Sequence, residues 1–498
     1  MAGGDDGGLL TDLGWLAVGV VVGALAAAAV SASLGLALGS IGADDGPTVE
    51  RSNLTLPDGA GEAHDRGVTG SNVTVGVLDA TGFATGHPTL RDRVVAARAF
   101  GPGNRVGNGG VTAHGTAAAT TVAATAPDAD LLLANADSPE AAVRGMQWLV
   151  DRGADVVVVE FNRLGAPDDG TAPLSRAATR ARDAGVLVVA PTGNQARGHW
   201  AGSLRPDREG AHEFPDGVRN GLVPLSPSGS STAGPVELWV TWTDPAGDDV
   251  DLTLELYRDA PAGPERVATS EPVRRDVPRT GRTERERIET SVGPGSYYVT
   301  VRTDSGPESA SASDVRLEIE STTHGLEQAR PAGSVAAPAT ARGVLSVGAY
   351  DGDTGNVAVH SGRGPTADGR RGVDVVAPVG IWNEWPGRGA TGTSVAAAYA
   401  GGTAALVLDA DPSLGPGGVE RALESSAASA DRETPDSIAG HGRLDVRRAV
   451  ERVASDSAVR TERALPGIAP LALLAAPLLG VASIVRGRGR AVAWRRDR

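Results

Sequence analysis

Three polar residues stand at the edges of apolar runs. Asp79 closes Gly76-Val77-Leu78-Asp79, His114 opens an alanine-rich stretch in Ala113-His114-Gly115-Thr116, and Ser394 follows Gly392-Thr393 ahead of the small residues Val395 to Ala405. Singly, each has an ordinary reading. An Asp after a strand caps a loop, a His at a helix start is structural or solvated, and a Ser before a helix is an N-cap. Together they supply the parts of a hydrolase: a hydroxyl nucleophile, an imidazole to take its proton, and a carboxylate to hold the imidazole's tautomer. A fourth residue, Asn194, follows Gly185-Val186-Leu187-Val188-Val189-Ala190-Pro191-Thr192-Gly193. On its own, Gly-Asn is a turn pair.

These residues need a scaffold, and the flanking sequence predicts one. Val73 to Leu78, Leu131 to Ala134, Val156 to Val159 and Gly185 to Ala190 are continuous apolar runs, while Pro139 to Arg152 and Leu174 to Ala184 carry helical spacing. Continuous apolar strands alternating with helices predict an α/β fold, a parallel sheet covered on both faces. The rhythm breaks after Trp200. Val236, Leu238, Val240 and Trp242, then Val250, Leu252, Leu254 and Leu256, alternate with polar residues, as do Tyr297, Val299 and Val301 and then Val315, Leu317 and Ile319. Period-two strands predict an all-β sandwich over 231–322. The α/β pattern resumes with Val344 to Val347 and Val373 to Val376, so the β unit reads as an insertion between catalytic parts at 65–230 and 323–455.

The order Asp…His…Ser, with flanks Val-Leu-Asp, His-Gly-Thr and Gly-Thr-Ser, resembles the subtilisin-like serine protease family (peptidase S8). Gly185 to Asn194 resembles the family strand that leads to its oxyanion-hole asparagine. Ser361-Gly362-Arg363-Gly364-Pro365, Asp374-Val375-Val376-Ala377-Pro378 and Ala126-Pro127-Asp128-Ala129-Asp130 resemble further family segments. The resemblance implies a subtilisin-like fold and a serine endopeptidase acting on polypeptides, with Asp79, His114 and Ser394 as its triad and no cofactor for the chemistry. It also implies that Asn194 and the Ser394 backbone N–H bind the oxyanion. Some residues depart from the pattern. Asp79-Ala80-Thr81-Gly82 is one residue longer than the usual Asp-[Ser/Thr]-Gly, and Ala117 replaces a frequent second His. Val395-Ala396-Ala397-Ala398 replaces Met-Ala-x-Pro, and Val159-Glu160-Phe161-Asn162-Arg163 replaces a Ser-rich strand. The departures motivate an alternative, a non-catalytic pseudoprotease that binds peptide or protein partners at the cell surface.

Composition bounds the rest. A length of 498 residues suits two or three folded units, and a net charge of −15 argues against a nucleic-acid partner. All the basic side chains are arginine, a bias that resembles proteins of high-salt microbes such as halophilic archaea, or one that a GC-rich genome produces. With no cysteine, disulfides and thiolate sites are excluded. Clustered carboxylates in Asp248-Asp249-Val250-Asp251 offer a structural Ca²⁺ site or simply an acidic surface; no metal is expected in the reaction. Residues 13–41 and 465–485 are uncharged and long enough to span a bilayer. The first is a transmembrane helix, a signal-anchor or a signal peptide with a small-residue cleavage option at Val30-Ser31-Ala32. Residues 43–64 read as a linker. The arginines of 486–498 predict a cytoplasmic tail, which leaves the catalytic unit on the outer face of a multi-pass or signal-cleaved single-pass membrane protein.

Overall fold

The computed structural model describes residues 59–101, 105–107, 114–225, 232–244, 250–273, 283–303, 314–379, 392–430 and 432–464. The expected spans 13–41 and 465–485, the tail 486–498, most of the linker 43–64 and the acidic pair Asp248-Asp249 lie outside these residues. Among the described residues, no helix is long and apolar enough to cross a membrane.

The first part of the chain forms α1 (Ala60–Asp65), β1 (Thr74–Asp79), β2 (Val94–Phe100), α2 (His114–Thr125), β3 (Asp130–Ala136), α3 (Pro139–Asp151), β4 (Val156–Val159), α4 (Pro173–Asp183) and β5 (Leu187–Pro191). Ten strands follow: β6 (His199–Ser203), β7 (Asn220–Val223), β8 (Gly234–Thr243), β9 (Leu252–Ala260), β10 (Gly263–Thr269), β11 (Glu271–Pro272), β12 (Thr283–Val292), β13 (Tyr297–Thr303), β14 (Arg316–Ser321) and β15 (Gly325–Leu326). The last part contains β16 (Leu345–Tyr350), β17 (Val375–Pro378), α5 (Thr393–Ala410), α6 (Pro416–Ser426) and α7 (Val446–Ala464).

Strands β17-β16-β5-β4-β1-β3-β2 make one seven-stranded sheet. All its pairings are parallel. Alternate residues feed two cores. Val156 and Val158 of β4 join the cluster under α2 and α5, and Val157 and Val159 join the cluster under α3 and α4. Burying each such Val contributes about 1.5–3 kcal/mol. Helix α3 starts where Ser138 Oγ accepts the Ala141 N–H at 3.2 Å, with Pro139 in the first turn. Helix α5 is buried along most of its length, and its small residues allow close approach. A Cβ on Gly401 would come within 2.3 Å of Val158, and one on Gly402 within 2.5 Å of Thr125. The chain runs from β1 to β2 and β3 on one side and then crosses to β4 on the other. Such a reversal opens a crevice at the carboxyl ends of the strands.

The other strands form two five-stranded sheets, β10-β9-β13-β7-β15 and β11-β12-β8-β14-β6, with antiparallel pairings throughout. Leu238 and Val240 from one and Leu254 and Leu256 from the other share a single apolar cluster. Three boundaries differ from the expected ones. Strands β6 and β7, upstream of residue 231, pair with β14 and β13, and Trp200 of β6 belongs to the same apolar cluster. The end of the expected linker is the helix α1, because Ala60 and Ala63 are buried in the core and Gly59 abuts Arg447 of α7. Helix α7 in turn runs past residue 455.

Candidate active site

Asp79 is the last residue of β1 and is fully buried. Its Oδ1 accepts the Thr81 N–H and the Thr81 hydroxyl, both at 2.6 Å, and its Oδ2 lies 2.6 Å from His114 Nδ1. Three donors converge on this one carboxyl group, so Nδ1 carries the proton that faces Oδ2 and Nε2 is left as the basic nitrogen. His114 is the first residue of α2. Burial works to lower its pKa, but the charge and hydrogen bond of Asp79 outweigh it and leave the imidazole above its ordinary 6.5.

The extra residue in Asp79-Ala80-Thr81-Gly82 finds its explanation here. Thr81 Oγ1 donates to Asp79 and also accepts the Gly115 N–H at 3.0 Å, tying the end of β1 to the start of α2. Gly115 must be glycine for steric reasons: a Cβ there would lie 2.5 Å from the Gly82 carbonyl and 2.7 Å from Asp79 Oδ1. Thr116 Oγ1 adds a further tie by accepting the Ala84 N–H at 2.9 Å.

Ser394 sits in the first turn of α5 and is 8% exposed. The helix begins after Gly392, whose φ of 115° and ψ of −170° suit glycine. First-turn N–H groups lack intrahelical acceptors and point toward incoming negative charge. The Ser394 hydroxyl donates to the main-chain carbonyl of Glu160, at 3.2 Å, rather than to the His114 imidazole. Asn194 approaches the same turn. Its Oδ1 accepts the Thr393 N–H at 3.0 Å and the Thr393 hydroxyl at 3.1 Å, and Thr393 Oγ1 accepts the Gly193 N–H at 3.2 Å. Only the oxygen of the amide can accept an N–H, so Nδ2 is the end left for other acceptors, and Asn194 is exposed.

The structure thus joins Asp79 to His114 and Asn194 to the residue before Ser394. Two residues beyond those expected belong to this neighbourhood. Thr81 was signalled by the longer Asp segment. Glu160, 1% exposed at the end of β4, was signalled by its departure from a Ser-rich strand. A hydroxyl, an imidazole oriented by a carboxylate, and N–H donors at a helix start can together support acyl transfer.

The model of the Subtilase family (Peptidase_S8) matches residues 70–229 and 291–442. Subtilisin Savinase of Lederbergia lenta is 38% identical over 152 residues, covering 27% of this chain and 53% of that protein. An alkaline protease of Alkalihalobacillus alcalophilus is also 38% identical over 152 residues, covering 27% of this chain and 37% of its own length. The chain therefore spans about half or less of these relatives. In fold it is similar to the CspB protease of Clostridium perfringens, with a TM-score of 0.55, 18% identity, and coverage of 78% of this chain and 94% of that one.

Proposed function

Because the chain belongs to the subtilase family, we propose that it is a serine endopeptidase that cleaves polypeptides through Asp79, His114 and Ser394. The observation that carries the reading is the 2.6 Å Asp79–His114 contact at the crevice end of β1, facing a helix that opens with Gly392-Thr393-Ser394. In the reaction, His114 Nε2 takes the proton from Ser394 Oγ as that oxygen attacks the peptide carbonyl, then gives it to the leaving amine. Asp79 stabilises the imidazolium that forms between these steps. The Ser394 N–H and Asn194 Nδ2 bind the developing oxyanion. This chemistry calls for no cofactor.

The test is labelling by a fluorophosphonate, in high salt, of wild type and Ser394→Ala. Labelling that is lost in the variant supports the reading. Folded wild-type protein that stays unlabelled refutes it. One observation favours a second reading, a pseudoprotease that binds partners: the Ser394 hydroxyl is engaged by the Glu160 carbonyl. That reading requires Ser394→Ala to leave the cellular role intact.

Four further statements belong to the same proposal. The two five-stranded sheets form a β-sandwich inserted in the catalytic unit, and their shared apolar cluster supports this. The apolar stretches 13–41 and 465–485 anchor the protein in the membrane with the catalytic unit outside, which proteolysis of intact cells would test. The acidic, lysine-free composition is that of a high-salt protein, so stability should rise with salt. A structural Ca²⁺ on Asp248, Asp249 and Asp251 would be revealed by a fall in Tm on chelation.

A further inference from the structure

Glu160 is a buried acid for which neither the fold nor the proposed triad chemistry has a use. Its position follows from the pleat. Val156 and Val158 of β4 face the α2 and α5 side, so Glu160, two residues on, faces that side too. On β1, Val75 and Val77 face the same way, and Asp79 continues their series. The parallel register pairs Leu78 with Val159, and the Glu160 N–H donates to the Leu78 carbonyl at 3.0 Å. Asp79 and Glu160 therefore stand side by side on neighbouring strands, both at 1% exposure or less.

Two carboxyl groups so close and so buried do not both ionise. Their partners decide which keeps the proton. Asp79 has the Thr81 N–H, the Thr81 hydroxyl and the His114 Nδ1–H as donors. Neither oxygen of Glu160 has a hydrogen-bond partner among the described residues. The proton belongs on Glu160, and burial together with the Asp79 charge holds its carboxyl well above the usual carboxylate range. The titratable groups facing Glu160 are Asp79 from β1 and, beyond it, His114 from α2. Strand β5 and the first turn of α5 carry no charged residue.

Resting on the reading of Ser394 as the nucleophile, we propose that Glu160 is a positioning residue of this site that works only as the neutral acid. Protonated, it fills the buried space beside Asp79 and keeps its main-chain carbonyl under the Ser394 hydroxyl. Ionised, it sets a second negative charge against Asp79 with no donor to hold it, and the end of β4 must move to solvate it, taking the Ser394 acceptor with it. The site then has an upper pH limit set by a carboxylic acid.

The experiment uses the full chain in two measurements from neutral to strongly alkaline pH. The first is the rate of fluorophosphonate labelling of wild type and Glu160→Gln, whose amide is close in shape to the neutral acid and cannot ionise. Relative to the variant, wild type is expected to lose about tenfold in rate per pH unit above the Glu160 ionisation. The second is the infrared carbonyl stretch of protonated carboxylic acids, in which a Glu160 component is expected in wild type at neutral pH and is missing from E160Q, where raised acids such as Glu320 still contribute. In wild type alone, one component of the band must be lost with the midpoint of labelling, so the test holds even if E160Q does not fold. Coincident alkaline limbs in the two proteins, a Glu160 component that persists while labelling is lost, or no such component at neutral pH would each overturn the inference. Wild type that shows the component but is unlabelled at every pH instead removes the endopeptidase reading, and the positioning role with it.

Discussion

Asn194 offers the sharpest separation of a chemical role from a structural one, because its two amide ends do different things. Oδ1 is committed to the Thr393 N–H at 3.0 Å and the Thr393 hydroxyl at 3.1 Å, while Nδ2 is the end available to an oxyanion. Asn194→Ala removes both ends. Removing one oxyanion donor costs about 2.7–4 kcal/mol of transition-state stabilisation, a magnitude established in subtilisin itself, so kcat should fall about 10²–10³-fold with KM little changed. Losing the tie to the Thr393 N–H should also cost about 0.5–1.5 kcal/mol of stability. Asn194→Asp keeps an acceptor for that N–H but has no donor. It should therefore hold its stability and still lose kcat at least as heavily as the alanine variant. The assay is kcat and KM on a chromogenic peptide, with urea unfolding of the same preparations. If Asn194→Asp kept wild-type kcat, or if the alanine variant raised KM alone, the donor role would be refuted.

Three further outcomes follow from the same geometry. Thr81→Val keeps the shape but removes a donor to Asp79 and the acceptor of the Gly115 N–H; urea unfolding should show a loss of about 2–4 kcal/mol, since one bond is charge-assisted and the other leaves a buried N–H unpaired. Gly115→Ala brings a Cβ to 2.5 Å from the Gly82 carbonyl and should displace His114 from Asp79, with kcat/KM down about 10²-fold, measured beside unfolding to separate misplacement from instability. With neutral His114 as the proposed base, the acidic limb of kcat/KM should lie above pH 6.5, because Asp79 raises the His114 pKa; Asp79→Asn leaves burial to act alone, so the limb of its residual activity should move below 6.5. The matching stability sign is fixed: the charged His114–Asp79 pair contributes fully below pH 6.5, and that contribution is lost as pH rises through the raised pKa.

Much of this site could be read from residue patterns, for physical reasons. The run Val156 to Val159 is β-branched throughout and buried on both faces, so it admits few conformations other than a central parallel strand. The helix over Pro139–Asp151 carries its own start signals, Ser138 and Pro139. Strand β2 was not legible. It lies at the sheet edge, only Phe100 of its seven residues is fully buried, and Arg98 interrupts any apolar period. Strands β6 and β7 are only five and four residues long, and their pairing is fixed by distant partners rather than by their own pattern. Helix α1 looks like polar linker because its burial depends on α7, nearly 390 residues away in the chain. For the site, residue types pointed to Asp79, His114, Ser394 and Asn194. That Thr81 replaces its predecessor as the Asp79 donor, and that the Glu160 carboxyl has no donor among the described residues, depends on distances no spacing encodes.

The β unit touches the site through the segment that follows Glu160. Gly165, with φ of 61°, lies so close to Trp239 of β8 that a Cβ there would approach its ring at 2.7 Å. The Gly165 N–H donates to Glu320 Oε2 of β14 at 2.8 Å, and its carbonyl accepts from Arg285 of β12 at 3.1 Å. Three strands of one sheet thus hold a glycine five residues beyond the carbonyl that receives the Ser394 hydroxyl. Nearby, Asp168 Oδ1 accepts the Ala337 N–H at 3.2 Å, and Asp168 lies within 4.8 Å of Glu318 and Glu320. Burial, and after it the charge of Glu318, raises Glu320 to about 7, so this joint gathers negative charge as pH rises through neutrality. A group whose folded pKa is raised contributes stability at low pH that is lost as pH rises through the raised value. Rising pH therefore adds negative charge against Asp168 near one end of the 160–172 segment as it ionises Glu160 at the other. The two effects act on one stretch of chain, from its two ends.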